Sequence, residues 1–301
     1  MLISGLEAVV IELECKCLSF ILHNGNQTQM VKLPYLTAVR FSGDDAGDFL
    51  HNQLSADVLA LASDESTYAC YCEPKGRVLV LVLIGRKFDD YYLVMSSSLV
   101  ASIASRLKIY VMRANVKVDV LDEMIVVGCH GCDKVSGGTR LGLPDSDDAL
   151  VIIGDDSATS LDPGIGDAWK LAELERGVVW LNVETSAQFL PQMLGYSSIG
   201  AVNFHKGCYP GQEIIARTHY LGKNKRHPRL LCSAEPISVK PMDKIQCHAS
   251  GESQAAVVVD HGRRQDGGSC VFVVSRIDPE SPVEKIEVEG HLVSLVHGAS
   301  A

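Results

Sequence analysis

Positive charge is scarce in this chain. The 301 residues carry 27 Lys and Arg against 37 Asp and Glu, a net charge of −10. Sequence-independent nucleic-acid binding draws on Lys and Arg to release counterions from phosphates, so the balance argues against a general nucleic-acid binder. Aromatic residues make up only 6%, with two tryptophans. Long apolar runs are missing, and no window approaches the roughly 20 residues of a transmembrane helix. The first apolar stretch is broken by Glu7, Glu12 and Glu14 and lacks a basic leader, which argues against a secretory signal. No G-x-x-x-x-G-K-[ST], H-E-x-x-H or G-x-S-x-G stands in the sequence, which argues against P-loop, zincin and serine-hydrolase chemistry. Gly164-x-Gly166 is a loop before a helix rather than a nucleotide fingerprint. Internal repeats and low-complexity tracts are also missing.

Cysteine is not scarce, at ten. A chain this long does not need disulfides for stability, so the expectation is a reduced, cytoplasmic protein without stable membrane contact. Cys129-His130-Gly131-Cys132 is a C-x-x-C with no second pair at matching distance. It therefore lacks a tetrahedral metal set and reads as incidental. Cys15/Cys17 and Cys70/Cys72 alternate along expected strands and face one side.

The positive charge that exists is concentrated. Residues 205–229, HKGCYPGQEIIARTHYLGKNKRHPR, hold six Lys and Arg (Lys206, Arg217, Lys223, Lys225, Arg226, Arg229) and one acid, Glu213, a net of +5. A basic island in an acidic protein is a candidate anion site. Gly207, Pro210 and Gly211 shape a loop around Cys208, and a thiol beside fixed positive charge is biased toward thiolate. On composition alone a solvated basic hairpin with a structural cysteine explains the segment equally well.

Pattern reading places the remaining elements. Leu36–Phe41 is a strand, 45–54 a short helix, and Ser66–Cys72, Arg77–Ile84 and Tyr91–Met95 are strands. Leu99, Ile103, Leu107 and Val111 recur at helical spacing, and Val116–Leu121 returns as a strand. Met124–Gly128 and Ala149–Ile153 are strands around a loop at 136–148. Asp167–Arg176 is a helix stopped by Gly177. From Arg229 onward, five short, evenly spaced strands suggest a small β-barrel. The division is 1–33, an arm or added strand; 34–122, an α+β region; 123–228, a second α+β region; and 229–301, the barrel.

The segment KGCYPGQE resembles the signature K-G-C-[YF]-x-G-Q-E of the YgfZ family, which is similar to the T-protein (aminomethyltransferase) of the glycine cleavage system. Lys206, Gly207, Cys208, Tyr209, Gly211, Gln212 and Glu213 fill every fixed position. DFLHNQLSADV (48–58), CEPKGR (72–77) and AQFLPQ (187–192) resemble further family segments. The resemblance spans about residues 34–290 and implies an α+β fold: a T-protein-like ring of two α+β regions and a C-terminal antiparallel β-barrel around a central hole. It implies binding of tetrahydrofolate or a one-carbon derivative, and support of iron–sulfur enzymes or assembly proteins, including those that thiomethylate tRNA. It is read as a monomer without direct nucleic-acid binding.

By resemblance, Trp169 faces the folate ring, although periodicity alone reads it as core. Glu175 accepts from the pterin 2-amino and ring N–H groups. Arg217, with Lys206 and Lys223, meets the anionic tail. Tyr35 stands in for a second stacking aromatic, and Cys208, with Lys206, carries any reaction. The alternative is a one-carbon (aminomethyl or methyl) transferase. That alternative needs a carboxylate where Val80 stands, and an apolar side chain exchanges no proton.

Overall fold

The computed structural model describes residues 29–132, 137–154, 166–222, 224–249, 252–278 and 281–295. Cys15, Cys17, Gly164, Lys223 and most of the expected N-terminal arm lie outside these residues. Within them the chain forms three antiparallel sheets and four α-helices.

The first sheet is built from β2 (Leu36–Ser42), β3 (Ser66–Cys72), β4 (Val78–Lys87), β5 (Asp90–Ser96) and β6 (Lys117–Val120), in the order β3-β4-β5-β2-β6. Strand β4 opens VLVLVLI and is buried through Ile84, the mark of a strand covered on both faces. Helix α1 (Ala46–Gln53) follows β2, and α2 (Ser97–Val111) follows β5. Helix α2 buries Leu99, Val100, Ile103, Ala104 and Leu107, a stripe at three- and four-residue spacing.

The second sheet has the order β1-β7-β9-β8, from β1 (Gln29–Lys32), β7 (Met124–His130), β9 (Asp148–Gly154) and β8 (Thr139–Gly142). The described end of the N-terminal arm is thus an added strand, with Met30 opposite Cys129. Strand β8 lies inside the stretch expected to be a loop. It is four residues long and among the described residues pairs only with β9, so its sequence carries little alternation. Helix α3 (Gly166–Glu175) stops at Gly177, where φ is +74°, and Val178 N–H closes the end on Glu173 O at 2.8 Å.

Helix α3 wedges between this sheet and the third one. A Cβ at Gly128 of β7 would lie 2.6 Å from ring atoms of Trp169, so only glycine lets the indole seat there. Leu171 and Leu174 press on Gly262 of the third sheet. That sheet runs β10-β13-β12-β11-β14-β15, from β10 (His227–Ser233), β11 (Lys244–Ala249), β12 (Glu252–Arg263), β13 (Ser269–Ser275), β14 (Lys285–Val288) and β15 (His291–Ser294). Alternate residues face two cores. Val258, Val271, Val273 and Ile286 enclose an inner one, while Leu230, Phe272 and Val274 join the main core.

The expected barrel is therefore a curled, open sheet: among the described residues β15 does not pair with β10. Its last two strands are four residues each, and β15 buries only Val293, too little to carry the sheet round to closure. Among the described residues no helix is long and apolar enough to cross a membrane.

Candidate functional site

The four segments that carry the family resemblance meet around the KGCYPGQE loop. Lys206, 8% exposed, donates through Nζ to the carbonyls of His51 and Leu54, the latter at 2.8 Å, at the end of α1. Gly211 has φ +83°, and a Cβ there would lie 2.5 Å from Glu73 O and 2.7 Å from Gly76 Cα. That contact clamps the loop onto the Glu73-Pro74-Lys75-Gly76 turn, and only glycine permits both the angle and the approach. Gln192, from the 187–192 segment, donates to Ile215 O at 2.8 Å. Gln212 reaches back to Lys206 O at 3.4 Å.

From Gln212 the chain enters helix α4 (Gln212–Tyr220), with Glu213 exposed in its first turn and Arg217 exposed in its last. This helix replaces the hairpin allowed by the sequence reading. It buries only Ile215, so no apolar stripe announces it.

The loop presents one sulfur. Tyr209 is buried, and its ring lies 5.2 Å from Lys206 Nζ. Cys208, between these two anchored residues, is exposed and free. Burial lowers the Lys206 amine to about 8. The Cβ position of Gly207 is 3.7 Å from His51 Nε2, and His51 Nδ1 lies 3.2 Å from Asp57 Oδ1. Burial, with the Lys206 charge second, lowers the imidazole's pKa and favours its neutral form. His51 and Asp57 thus stand beside the cysteine loop. Sequence reading passed over both, although both lie in the 48–58 segment that carries the resemblance.

A second cluster centres on a buried carboxylate. Tyr35 OH donates to Glu173 Oε2 at 2.9 Å, and Trp169 Nε1–H donates to Glu173 Oε1 at 3.1 Å. Trp180 leans on the same group without full hydrogen-bond alignment. Glu173 is 1% exposed, and burial outweighs these donors, lifting its carboxyl to about 7. Burial first, and Glu173 second, also hold the Tyr35 hydroxyl well above its ordinary value.

Tyr35 and Trp169, chosen as two walls of one pocket, are therefore brought together by one carboxylate. That carboxylate belongs to Glu173 rather than Glu175, which is half-buried. The Trp169 indole is 4% exposed, closed by Gly128, and has the Arg176 guanidinium 5.9 Å from its centroid. Stacking of a ligand on this indole would require Arg176 to move. Val80 is fully buried in β4.

Beside this cluster lies a cavity of about 220 Å³, lined by Tyr68, Leu143, Asp145, Arg176, Ser198 and Ile199 among others. Arg176 donates through Nη1 to Asp148 Oδ2 at 2.5 Å, while its buried Nε and Nη2 have no partner among the described residues. Tyr68 stands edge-on to Trp180 at 6.3 Å. No lining residue comes from the KGCYPGQE loop, so Cys208 does not rim this cavity, nor does Arg217.

No family model matches the chain. An uncharacterized protein of Haemophilus influenzae is 31% identical over 206 residues, which is 66% of this chain and 71% of the relative. The tRNA-modifying protein YgfZ of Colwellia psychrerythraea is 26% identical over 289 residues, 86% of this chain and 89% of the relative. The chain belongs to the YgfZ family. The crystal structure of the glycine cleavage system aminomethyltransferase T from Bartonella henselae superposes with a TM-score of 0.68 at 16% identity. It covers 94% of this chain and 88% of its own, a likeness of fold. Membership in the YgfZ family bears out the resemblance carried by residues 206–213.

Proposed function

We propose that this chain binds tetrahydrofolate or a one-carbon derivative and acts as an accessory protein to iron–sulfur enzymes, tRNA-modifying ones among them. The observation that carries the reading is the buried Arg176 guanidinium in the cavity wall, whose Nε and Nη2 have no partner among the described residues. A pterin edge has a carbonyl acceptor next to amino and ring N–H donors. Arg176 supplies donors, Asp145 supplies acceptors, and Tyr68 supplies an aromatic wall. The residues present fit such a ring. The volume is smaller than the roughly 300–1,000 Å³ of pockets that enclose a drug-sized ligand, so the cavity suits the ring and not the whole vitamin.

A bound folate would supply a one-carbon unit or its reduced pterin. The chain's own residues do the rest. Arg176 orients the ring, the buried Glu173 cluster fixes the end of the helix that Arg176 follows, and exposed Arg217 is available to an anionic tail. Cys208, held outward by Lys206 and Tyr209, acts as nucleophile, redox group or transient cluster ligand. The relatives named tRNA-modifying protein YgfZ favour this over the transferase reading, as does Val80 in place of a carboxylate.

The test is a titration with tetrahydrofolate followed by tryptophan fluorescence. A saturable change is expected in the parent, weakened at least about tenfold in Arg176→Met, the cost of a lost charged hydrogen bond. The absence of any saturable change, or equal affinity in both proteins, would count against the reading.

A further inference from the structure

The end of strand β7 and the turn after it carry two sulfurs that the proposed function leaves unused. Cys129 and Cys132 are 0% and 2% exposed and paired in space, with Cα atoms 6.0 Å apart, inside the span of a disulfide. They sit in a small apolar cluster with Val127, Val151 and Ile153, apart from the main core. Cys129 belongs to β7, whereas Cys132 lies beyond it, after exposed Gly131.

The turn between the sulfurs is tied to the cavity wall. Gly131 N–H donates to Asp147 O at 3.3 Å, and Arg140 Nε donates to Cys132 O at 2.5 Å. His130 Nδ1 lies 2.7 Å from Asp148 Oδ1. Asp148, 4% exposed, holds Arg176 Nη1 at 2.5 Å with its other oxygen. His130 and Asp148 are register partners across β7 and β9, so the turn and the clamp move as one piece. Arg176 then lines the cavity.

We propose that Cys129 and Cys132 are a reversible dithiol–disulfide site whose state sets how firmly Asp148 holds Arg176, and so the affinity of the cavity. The oxidant is a small-molecule disulfide. When the 131–132 turn lifts, the Cys132 thiolate attacks one sulfur of that disulfide and releases one small thiol. The Cys129 thiolate then attacks the Cys132 sulfur of the mixed disulfide and releases the second. The two protein thiol protons end on the two released thiols, and the two electrons reduce the small disulfide. The closed disulfide fixes the turn and keeps His130 on Asp148. The dithiol leaves that turn to its hydrogen bonds alone. The affinity clause rests on the proposed folate reading; the exchange does not.

The test uses the full chain equilibrated in reduced or oxidised glutathione, quenched in acid, alkylated, digested and weighed. The peptide holding both cysteines is expected doubly alkylated after reduction. After oxidation it should be unlabelled and two hydrogens lighter, with labelling down at least about tenfold. Double alkylation in both buffers overturns the proposal. Cys132→Ser and, as a second variant, Cys129→Ser should leave the remaining cysteine without an internal partner.

Trp169, beside Arg176, gives the second readout. Its emission is expected to differ between the two states in the parent and not in either variant. Equal emission in both parent states, or a difference that persists in the variants, overturns the link to Arg176. Tetrahydrofolate titrated into each state should show affinities at least about threefold apart, a modest coupling. A parent that oxidises and shifts its emission but binds no folate upholds the switch and sinks the folate reading alone.

Discussion

Lys206, two residues before the exposed Cys208, donates its ammonium to Leu54 O, 2.8 Å away at the end of helix α1. The contact answers a local need, because the last carbonyls of a helix have no partner within it. A buried lysine next to a cysteine reads in sequence as an activator, but here the ammonium is engaged in holding α1 to the loop. Replacing it with methionine should leave buried carbonyls unpaired and cost roughly 1–3 kcal/mol. The pH dependence gives a second check. The folded amine is lowered from 10.5 to about 8, so between those values the unfolded chain binds more protons than the folded one. Parent stability should therefore rise with pH across that window, and Lys206→Met should lose the rise. Urea unfolding of both proteins from pH 7 to 10.5 measures it.

Glu173 carries the opposite sign. Its carboxyl is raised from 4.5 to about 7 by burial, so between those values the folded chain binds more protons. Stability should fall as pH rises through the window. Glu173→Gln keeps one acceptor and cannot ionise. It should flatten the fall and gain on the order of 1–3 kcal/mol relative to the parent at pH 8, given about 1.4 kcal/mol per pKa unit. A parent whose stability is flat from pH 4.5 to 7 would show that Glu173 is already ionised when folded.

The difference between Glu173 and Glu175 shows where the sequence ran out. Successive helical residues turn by about 100°, so carboxylates two positions apart face different surroundings. The family resemblance selects Glu175 by its place before Arg176-Gly177. The burial that makes Glu173 unusual is set by tertiary packing, and its donor Tyr35 lies 138 residues away in the chain. One signal was present: Trp169, Glu173 and Arg176 are spaced four and three apart and share a face. Strands such as β4 were legible because their apolar run is long, and α2 because its stripe repeats. Helix α4 was not, because it rests on Gly211 and Gln192 rather than on an apolar face of its own. The open end of the C-terminal sheet was also hidden, since evenly spaced strands look alike whether or not the edges meet.

Gly211→Ala tests the clamp that shapes the loop. The new Cβ would sit 2.5 Å from Glu73 O at a φ of +83°, and both neighbours are backbone. The strain should cost about 1–3 kcal/mol. It should also free the loop, so that Cys208 reacts with an alkylating reagent at a changed rate while the fold is still present. Thermal unfolding and alkylation kinetics measure the two effects. Parent-like values in both would mean that the Glu73–Gly76 turn yields readily.

Cys208→Ala separates the sulfur from the scaffold. The side chain is exposed and free, whereas its neighbours Lys206 and Tyr209 carry the anchoring contacts. Surface replacements away from such contacts usually stay within about 0.5 kcal/mol, so unfolding should match the parent. If the thiol is the working group of an iron–sulfur accessory protein, the variant should fail to restore iron–sulfur enzyme activity in cells lacking the native protein. Cys208→Ser, close in size but a far weaker nucleophile and metal ligand, should fail as well. Rescue by both variants at parent level would strip the exposed sulfur of its role. Rescue by serine alone would mean that a polar group at this tip suffices and that no covalent or metal bond forms there.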